Sequence, residues 1–203
     1  MAPKRSGPLG GRPAATTRGR LSEIAIDLFT ERGFDETSVD DIAAAAGIAR
    51  RTLFRYYASK NSIAWGEFDD HLDDLRRLLS EIPDEVPLGE SLRRALVDFN
   101  EVPDDVVDQH RRRMSLLLTV PALQAHSMIM YADWRQVIAE HCADRLHLAA
   151  DDHLPQTVAW MTLGTALAAY DQWLAHPDAD LAALLETGAH TLVEGVGALL
   201  PSN

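Results

Sequence analysis

The sequence predicts an all-α protein of about nine helices, a small N-terminal unit joined to a larger one. Apolar residues recur at the 3.6-residue period of amphipathic helices along most of the 203 residues, and no stretch alternates as a strand does. Pro83, Pro87, Pro103, Pro121, Pro155 and Pro177 stand at the boundaries of the periodic segments, where a residue lacking an amide hydrogen can start or follow a helix. Charge divides the chain in the same way. Residues 1–60 hold ten Lys and Arg against seven Asp and Glu, whereas residues 61–203 hold nine against twenty-four. The overall charge of −12 argues against nucleic acid, but the positive segment reverses that inference for the N-terminal quarter.

Composition sets the remaining bounds. With 46% hydrophobic residues the chain can bury a sizeable core. The single Cys142 excludes an internal disulfide, and no apolar run near the start has the form of a signal peptide, so a cytoplasmic location is expected. The longest stretch without Asp, Glu, Lys or Arg, His153 to Tyr170, includes Pro155, Gln156 and three Thr, and reads as a buried helix rather than a membrane span.

Residues 1–16 carry Lys4, Arg5 and Arg12 and no acid among Gly and Pro, which predicts a flexible basic arm. From about Thr17, Leu21, Ile24, Ala25, Leu28 and Phe29 form the stripe of a first helix that ends at Gly33, with Phe34 as an anchor between it and the next two helices. Thr37 and Ser38 can cap a second helix, with Asp40 and Asp41 three residues later completing capping-box spacing. Val39, Ile42, Ala43 and Ala46 supply its apolar face, and Gly47 ends it. In the third segment Arg51, Thr52, Arg55 and Tyr56 share one side while Leu53 and Tyr57 point the other way. A short helix followed by one with an outward positive face is the geometry that enters a DNA major groove; the bland alternative is a solvated charged face. Residues 17–60 are therefore expected to form a helix-turn-helix DNA-binding domain.

Ser59 can cap a helix over residues 60–81, its apolar side supplied by Trp65, Phe68, Leu72, Leu75 and Leu79, a continuous rod from the DNA-binding domain into the second domain. Further helices are expected over 88–101, 104–118, 121–148, 153–176 and 180–200, making residues 61–203 a larger helical domain. Met114, Met128, Met130, Tyr131 and Trp134 give it adaptable apolar surface, which at helical spacing serves more often as core than as a pocket. The last two segments are rich in Gly and Ala flanked by Leu163, Leu167, Trp173, Leu184, Leu192 and Val196, and a two-fold interface between copies is expected there.

At Gly33-Phe34, Thr37-Ser38-Val39, Ala46-Gly47-Ile48, Thr52-Leu53-Phe54-Arg55-Tyr56-Tyr57 and Ser59-Lys60 the chain resembles the TetR family of bacterial transcriptional regulators. That resemblance implies a homodimeric helical repressor whose second domain binds a small molecule and releases DNA. It also implies that Arg50, Arg51 and Thr52 face base edges, and that Thr37, Ser38, Arg55, Tyr56 and Lys60 contact phosphates. Family members often carry a small polar residue at the position of Ala49, Gly at Arg51, Tyr at Phe54 and Phe at Tyr57, so a different operator is expected. A pocket among the middle helices is implied too, with Trp65, Met114, Met128, Tyr131, Trp134 and Trp160 as lining and Gln124 and His126 as polar contacts. Three consecutive residues cannot share a helical face, so Arg111-Arg112-Arg113 reads as a solvated run; the alternative is that Arg111 to Arg113 offer partners to an anionic head group, with Arg111 assigned to the site. Within the family the run from Arg50 to Arg76 is similar to the regulators of the mycofactocin system, a peptide-derived redox-cofactor pathway. This implies control of cofactor-biosynthesis genes and release by a long-chain acyl-CoA. The alternative is a regulator of an efflux or lipid-metabolism operon answering a drug-like or fatty-acid ligand.

An enzyme is the distant alternative. The chain has no Gly-rich phosphate loop, no G-x-S-x-G and no H-E-x-x-H, and His141 and His147 fall on different helical faces, so neither catalytic nor metal-ligating residues are assigned and no cofactor is expected.

Overall fold

The structure, a computed structural model, describes residues 17–197, with side chains through residue 194; the expected basic arm 1–16 and the end of the last expected helix lie outside the described residues. Among the described residues there are ten α-helices and one 3-10 turn, and no strand. They are α1 Arg18–Arg32, α2 Val39–Ala45, α3 Arg50–Tyr56, α4 Lys60–Trp65, α5 Phe68–Glu81, α6 Leu88–Phe99, α7 Val107–Thr119, α8 Pro121–Leu146, α9 His153–Ala175 and α10 Leu181–Gly197, with the 3-10 turn at Asp104–Val106.

The expected single helix over 60–81 is two. Gly66 takes φ +66° and ψ −129°, which ends α4, and α5 begins two residues later. The apolar repeat reads through this point because Trp65 and Phe68 still meet, edge to face with ring centroids 4.8 Å apart. Periodicity alone therefore does not register the break.

Two apolar cores organise the molecule. The N-terminal core joins Leu21, Ile26 and Phe29 of α1, Ile42 of α2, Leu53 of α3 and Ile63 of α4, and takes in Leu117 of α7 and Leu123 of α8. Phe34 lies within it, 4.8 Å from Phe29 between ring centroids. The larger core is built from α5, α6, α8, α9 and α10 around residues such as Leu75, Leu92, Ile138, Val158 and Leu185.

Small residues set the spacing of the last helices. A Cβ on Gly188 of α10 would lie 2.8 Å from Cγ2 of Thr165 in α9, and one on Gly89 of α6 would lie 3.2 Å from Cγ1 of Val193. A Cβ on Gly164 would meet nothing within 4 Å, because that residue sits on the open side of α9.

Candidate nucleic-acid interface and interior cavity

The turn between α2 and α3 is explained by its sequence. Ser38 accepts from the Asp41 amide at 3.1 Å while Asp41 Oδ2 accepts from the Ser38 amide at 2.9 Å, a reciprocal capping box. The Ser38 hydroxyl also donates to Asp41 Oδ2, and this bond, with that from the Ser38 amide, favours the carboxylate and holds the Asp41 pKa below its ordinary value. Gly47 then adopts φ +66°, a left-handed geometry that glycine takes without strain, and α2 stops. α3 starts at Arg50, and its N-cap, Ala49, supplies no side-chain bond.

Leu53 and Tyr57 are buried, and the hydroxyl of Tyr57 donates to the Arg18 carbonyl at 2.7 Å. With its inner side anchored, α3 presents Arg50, Arg51, Phe54 and Arg55 to solvent, with Thr52 and Tyr56 at the margin. Arg50 pairs with Asp40 at 2.8 Å and lies over the Phe54 ring, and Arg55 lies over Tyr56. Arg51 is exposed and forms no ion pair among the described residues.

Two of the expected phosphate contacts have interior duties. Thr37 is fully buried, and its hydroxyl lies 2.8 Å from the Gly33 carbonyl and 3.3 Å from that of Leu28. Lys60 turns inward: Nζ donates to the Phe34 and Thr37 carbonyls at 2.8 and 3.1 Å and sits 4.0 Å from the centre of the Phe34 ring. Both residues fix the loop before α2, so their side chains do not stand among the outward groups. Ser38 stays exposed beside them.

Behind this unit lies a cavity of about 430 Å³ between the α4–α5 corner, the segment around Asn100 to Val106, and α7, α8 and α9. Trp65, Met114, Tyr131 and Trp134 line it as expected. His110, Arg113, Met114 and Leu117 face it from α7, and Leu163, Ala166, Leu167 and Tyr170 from α9. Each of these sets recurs at i, i+3, i+4, i+7, so the helical period marks the cavity side of both elements.

The cavity holds an ordered polar chain. Tyr170 donates its hydroxyl proton to Asn100 Oδ1 at 2.9 Å, so His110, whose Nε2 is 2.9 Å from the Tyr170 hydroxyl oxygen, donates to that hydroxyl. Burial pushes the His110 pKa down to about 4, so this histidine is neutral near pH 7. Trp65 Nε1 has no hydrogen-bond partner among the described residues, leaving a donor in a cavity-lining residue.

Five expected lining residues lie elsewhere. Arg111 turns away from the cavity, stacks 4.0 Å over the Trp173 ring and donates to the Trp173 carbonyl, fastening the end of α9. Gln124 donates to the Leu118 carbonyl at the α7–α8 corner, and His126 is half-buried on α8 outside the cavity. Met128 and Trp160 are on the outer surface, 53% and 48% exposed, with the Arg135 guanidinium 3.5 Å over the Trp160 ring. Hydrophobicity marks these last two as interior, but their positions fall on the outward side of α8 and α9.

The residues expected at an interface mostly pack within the chain. Trp173 and Leu192 belong to the larger core and Leu184 packs against it, while Leu163 and Leu167 face the cavity. The side chain of Val196 lies outside the described residues. The open side of α9 carries Trp160, Met161, Gly164 and Ala168, and that of α10 carries Ala182, Ala183, Thr187 and Thr191.

His141 Nε2 lies 2.9 Å from Ser91 Oγ, and Cys142 is buried, which raises its thiol pKa to about 12. Among the described residues no three His, Cys, Asp or Glu are grouped to hold a metal ion, and no helix is long and apolar enough to cross a membrane.

The chain matches the bacterial regulatory proteins of the tetR family over residues 22–64 and the MftR C-terminal domain over residues 86–197. It is 50% identical over 187 residues to a Mycobacterium tuberculosis protein provisionally named as the mycofactocin biosynthesis transcriptional regulator MftR, covering 92% of this chain and 93% of that one. A tetR-family transcriptional regulator from Streptomyces coelicolor superposes with a TM-score of 0.54 at 26% identity, over 91% of this chain and 86% of that chain. FadR of Bacillus subtilis, crystallised with stearoyl-CoA, shares the fold with a TM-score of 0.62 at 15% identity, over 86% of this chain and 97% of that chain.

Proposed function

The chain belongs to the TetR family of transcriptional regulators, which are not enzymes, and from that premise we propose that it is a homodimeric repressor of mycofactocin-biosynthesis genes, released from its operator by a long-chain acyl-CoA. In this reading residues 17–60 hold the DNA, residues 61–203 bind the effector and the second copy, and the arm 1–16 adds phosphate contacts. Arg50, Arg51 and Thr52 meet base edges, where an arginine can donate two bonds to guanine. The exposed Ser38, Arg55 and the neighbouring Tyr56 meet phosphates, which set register. The Arg50–Asp40 pair is no obstacle, since an exposed ion pair is worth at most about 1 kcal/mol.

The observation that carries the effector assignment is the cavity: a mainly apolar, aromatic, partly open space of about 430 Å³ whose lining includes the guanidinium of Arg113 and, as its acidic groups, Glu67 and Glu101. That volume is within the range of small-molecule sites and suits an acyl chain, leaving the bulk of the coenzyme outside. A relative of this fold takes stearoyl-CoA, and a relative 50% identical along nearly its whole length bears the mycofactocin name; these support the ligand class and the target genes respectively.

The test is binding to the chain's own upstream DNA, repeated with oleoyl-CoA. A protein touching six or more phosphates loses about 10³ or more in affinity between 50 and 200 mM salt, and oleoyl-CoA at micromolar concentration is expected to release the complex. Release by a neutral drug-like compound and not by oleoyl-CoA would instead support control of an efflux operon.

A further inference from the structure

We propose that Arg113 is the coupling residue: it takes the oxygen-rich head of the acyl effector and, in doing so, lets go of the DNA-reading unit. This deepens the effector reading above and rests on it.

Arg113 touches both parties. Its side chain lines the cavity, and its Nη1 donates at 2.8 Å to Ser22 Oγ of α1 and at 2.8 Å to the Ala64 carbonyl of α4. Ser22 is fully buried and passes its own proton to the Ile63 carbonyl at 2.6 Å. The Ile63 and Ala64 carbonyls belong to the last turn of α4, where a positive group is favoured; the Ile63 carbonyl also accepts from the Gly66 amide at 3.2 Å, and the Ala64 carbonyl accepts from Arg113. One guanidinium from α7, acting directly and through Ser22, thus closes the end of α4.

Gly66 makes room for that contact. A Cβ at this position would lie 2.9 Å from Arg113 Nη1 and 3.3 Å from Ser22 Oγ.

The arrangement leaves Arg113 without a carboxylate at ion-pair distance, although Glu67 and Glu101 share the cavity lining and Glu23 acts on it from farther off. Among the described residues Arg113 forms no ion pair, and burial lowers its pKa from the ordinary guanidinium value, although it stays protonated at neutral pH. Its acceptors in the chain are a hydroxyl and a neutral carbonyl. A carboxylate or phosphate oxygen, or a thioester carbonyl presented in the same enclosure, competes with them, and the ionised acceptors form roughly twice as strong a bond. Taking Nη1 from Ser22 and Ala64 uncaps α4.

That loss reaches the DNA-reading unit by two routes. Arg18 and Tyr57 tie α1 to the end of α3 through Arg18 Nε to the Tyr56 carbonyl at 3.1 Å and the Tyr57 hydroxyl to the Arg18 carbonyl. Lys60 ties α4 to the loop before α2.

The test uses the full chain, with tryptophan fluorescence from Trp65 and Trp134 for lipid binding and DNA anisotropy for release. The probes are oleoyl-CoA, oleate and the neutral oleyl alcohol. Whichever of the first two releases wild-type protein identifies the source of the oxygen. Arg113→Met is expected to bind that lipid at least about tenfold more weakly, to bind oleyl alcohol within about twofold of wild type, to bind DNA more weakly than wild type in the absence of lipid because the contact to Ser22 and Ala64 is gone, and to show a DNA affinity that lipid lowers by a smaller factor than in wild type. Arg113→Lys restores part of the response. Ser22→Ala, whose side chain does not line the cavity, keeps lipid affinity within about twofold while the factor by which lipid lowers DNA affinity shrinks at least about threefold, a loss of coupling rather than of binding.

Release of Arg113→Met by lipid as readily as wild type overturns the inference and leaves the effector reading intact. Wild type that responds to neither lipid overturns both. If Arg113→Met fails to fold, Arg113→Lys and Ser22→Ala decide: an unaltered coupling factor in both refutes the assignment.

Discussion

At the scale of single residues, side-chain type was a poorer guide than direction. Thr37 and Lys60 have the chemistry of phosphate anchors, yet each spends its polar atoms on carbonyls of the loop that positions α2. Arg51 has no such commitment, and it is where base selectivity is expected: Arg51→Ala should cost about 1–3 kcal/mol on the preferred operator and relax one base position in a binding-site selection. Of the three consecutive arginines, Arg111 fastens α9 and Arg113 lines the cavity, while Arg112 lies 3.5 Å from Asp27 at the surface. The i, i+3, i+4 relation of His110, Arg113 and Met114 was open to a reader of the sequence, but nothing in it said which helical side faced a cavity. His110 gives a test by titration. Its folded pKa of about 4 lies below the ordinary 6.5, so between these values the unfolded chain holds a proton that the folded one excludes. Stability should therefore fall as pH drops from about 6.5 to 4, by up to about 3 kcal/mol from this group. In urea titrations across that range, His110→Gln should remove this part of the slope.

Helices were more legible than their interruptions. Proline punctuation and apolar period located the elements because both act on the backbone directly. The corner at Gly66 escaped because Trp65, Phe68 and Leu72 preserve the stripe across it, and the demand for a positive φ arises only in the folded molecule. Gly66→Ala is accordingly expected to lower stability by about 1–3 kcal/mol and to weaken DNA binding in the absence of any lipid, since its methyl group presses on Arg113. α3 offers the opposite experiment. Ala49 stands at its N-cap with φ −74° and ψ 145°, already the conformation of a capping residue, but has no acceptor to give. Ala49→Ser should raise stability by about 1 kcal/mol, read as a shift in the denaturation midpoint.

For the whole molecule, charge segregation is the feature that sequence alone conveyed most fully, since it depends on order along the chain and not on folding. The residues expected between copies are mostly covered within one chain, because apolar area at helical spacing says that a face is covered without saying by what. With Leu163 and Leu167 assigned to the cavity, the outer faces of α9 and α10 remain for a second copy. Gly164→Arg, on the open side where a Cβ meets nothing within 4 Å, is expected to give a monomer in sedimentation while leaving the melting temperature of the protomer little changed. The position of α9 has one more consequence. Its Leu163, Ala166, Leu167 and Tyr170 form a cavity wall, and Trp160, Met161, Gly164 and Ala168 on its other side would meet the second copy. In such a dimer the two cavities are separated by little more than a pair of helices back to back, a party wall shared by two tenants. Filling one side changes what the other leans on, so successive effector molecules do not bind as strangers, and a saturation curve should depart from a single hyperbola, with a Hill coefficient other than one.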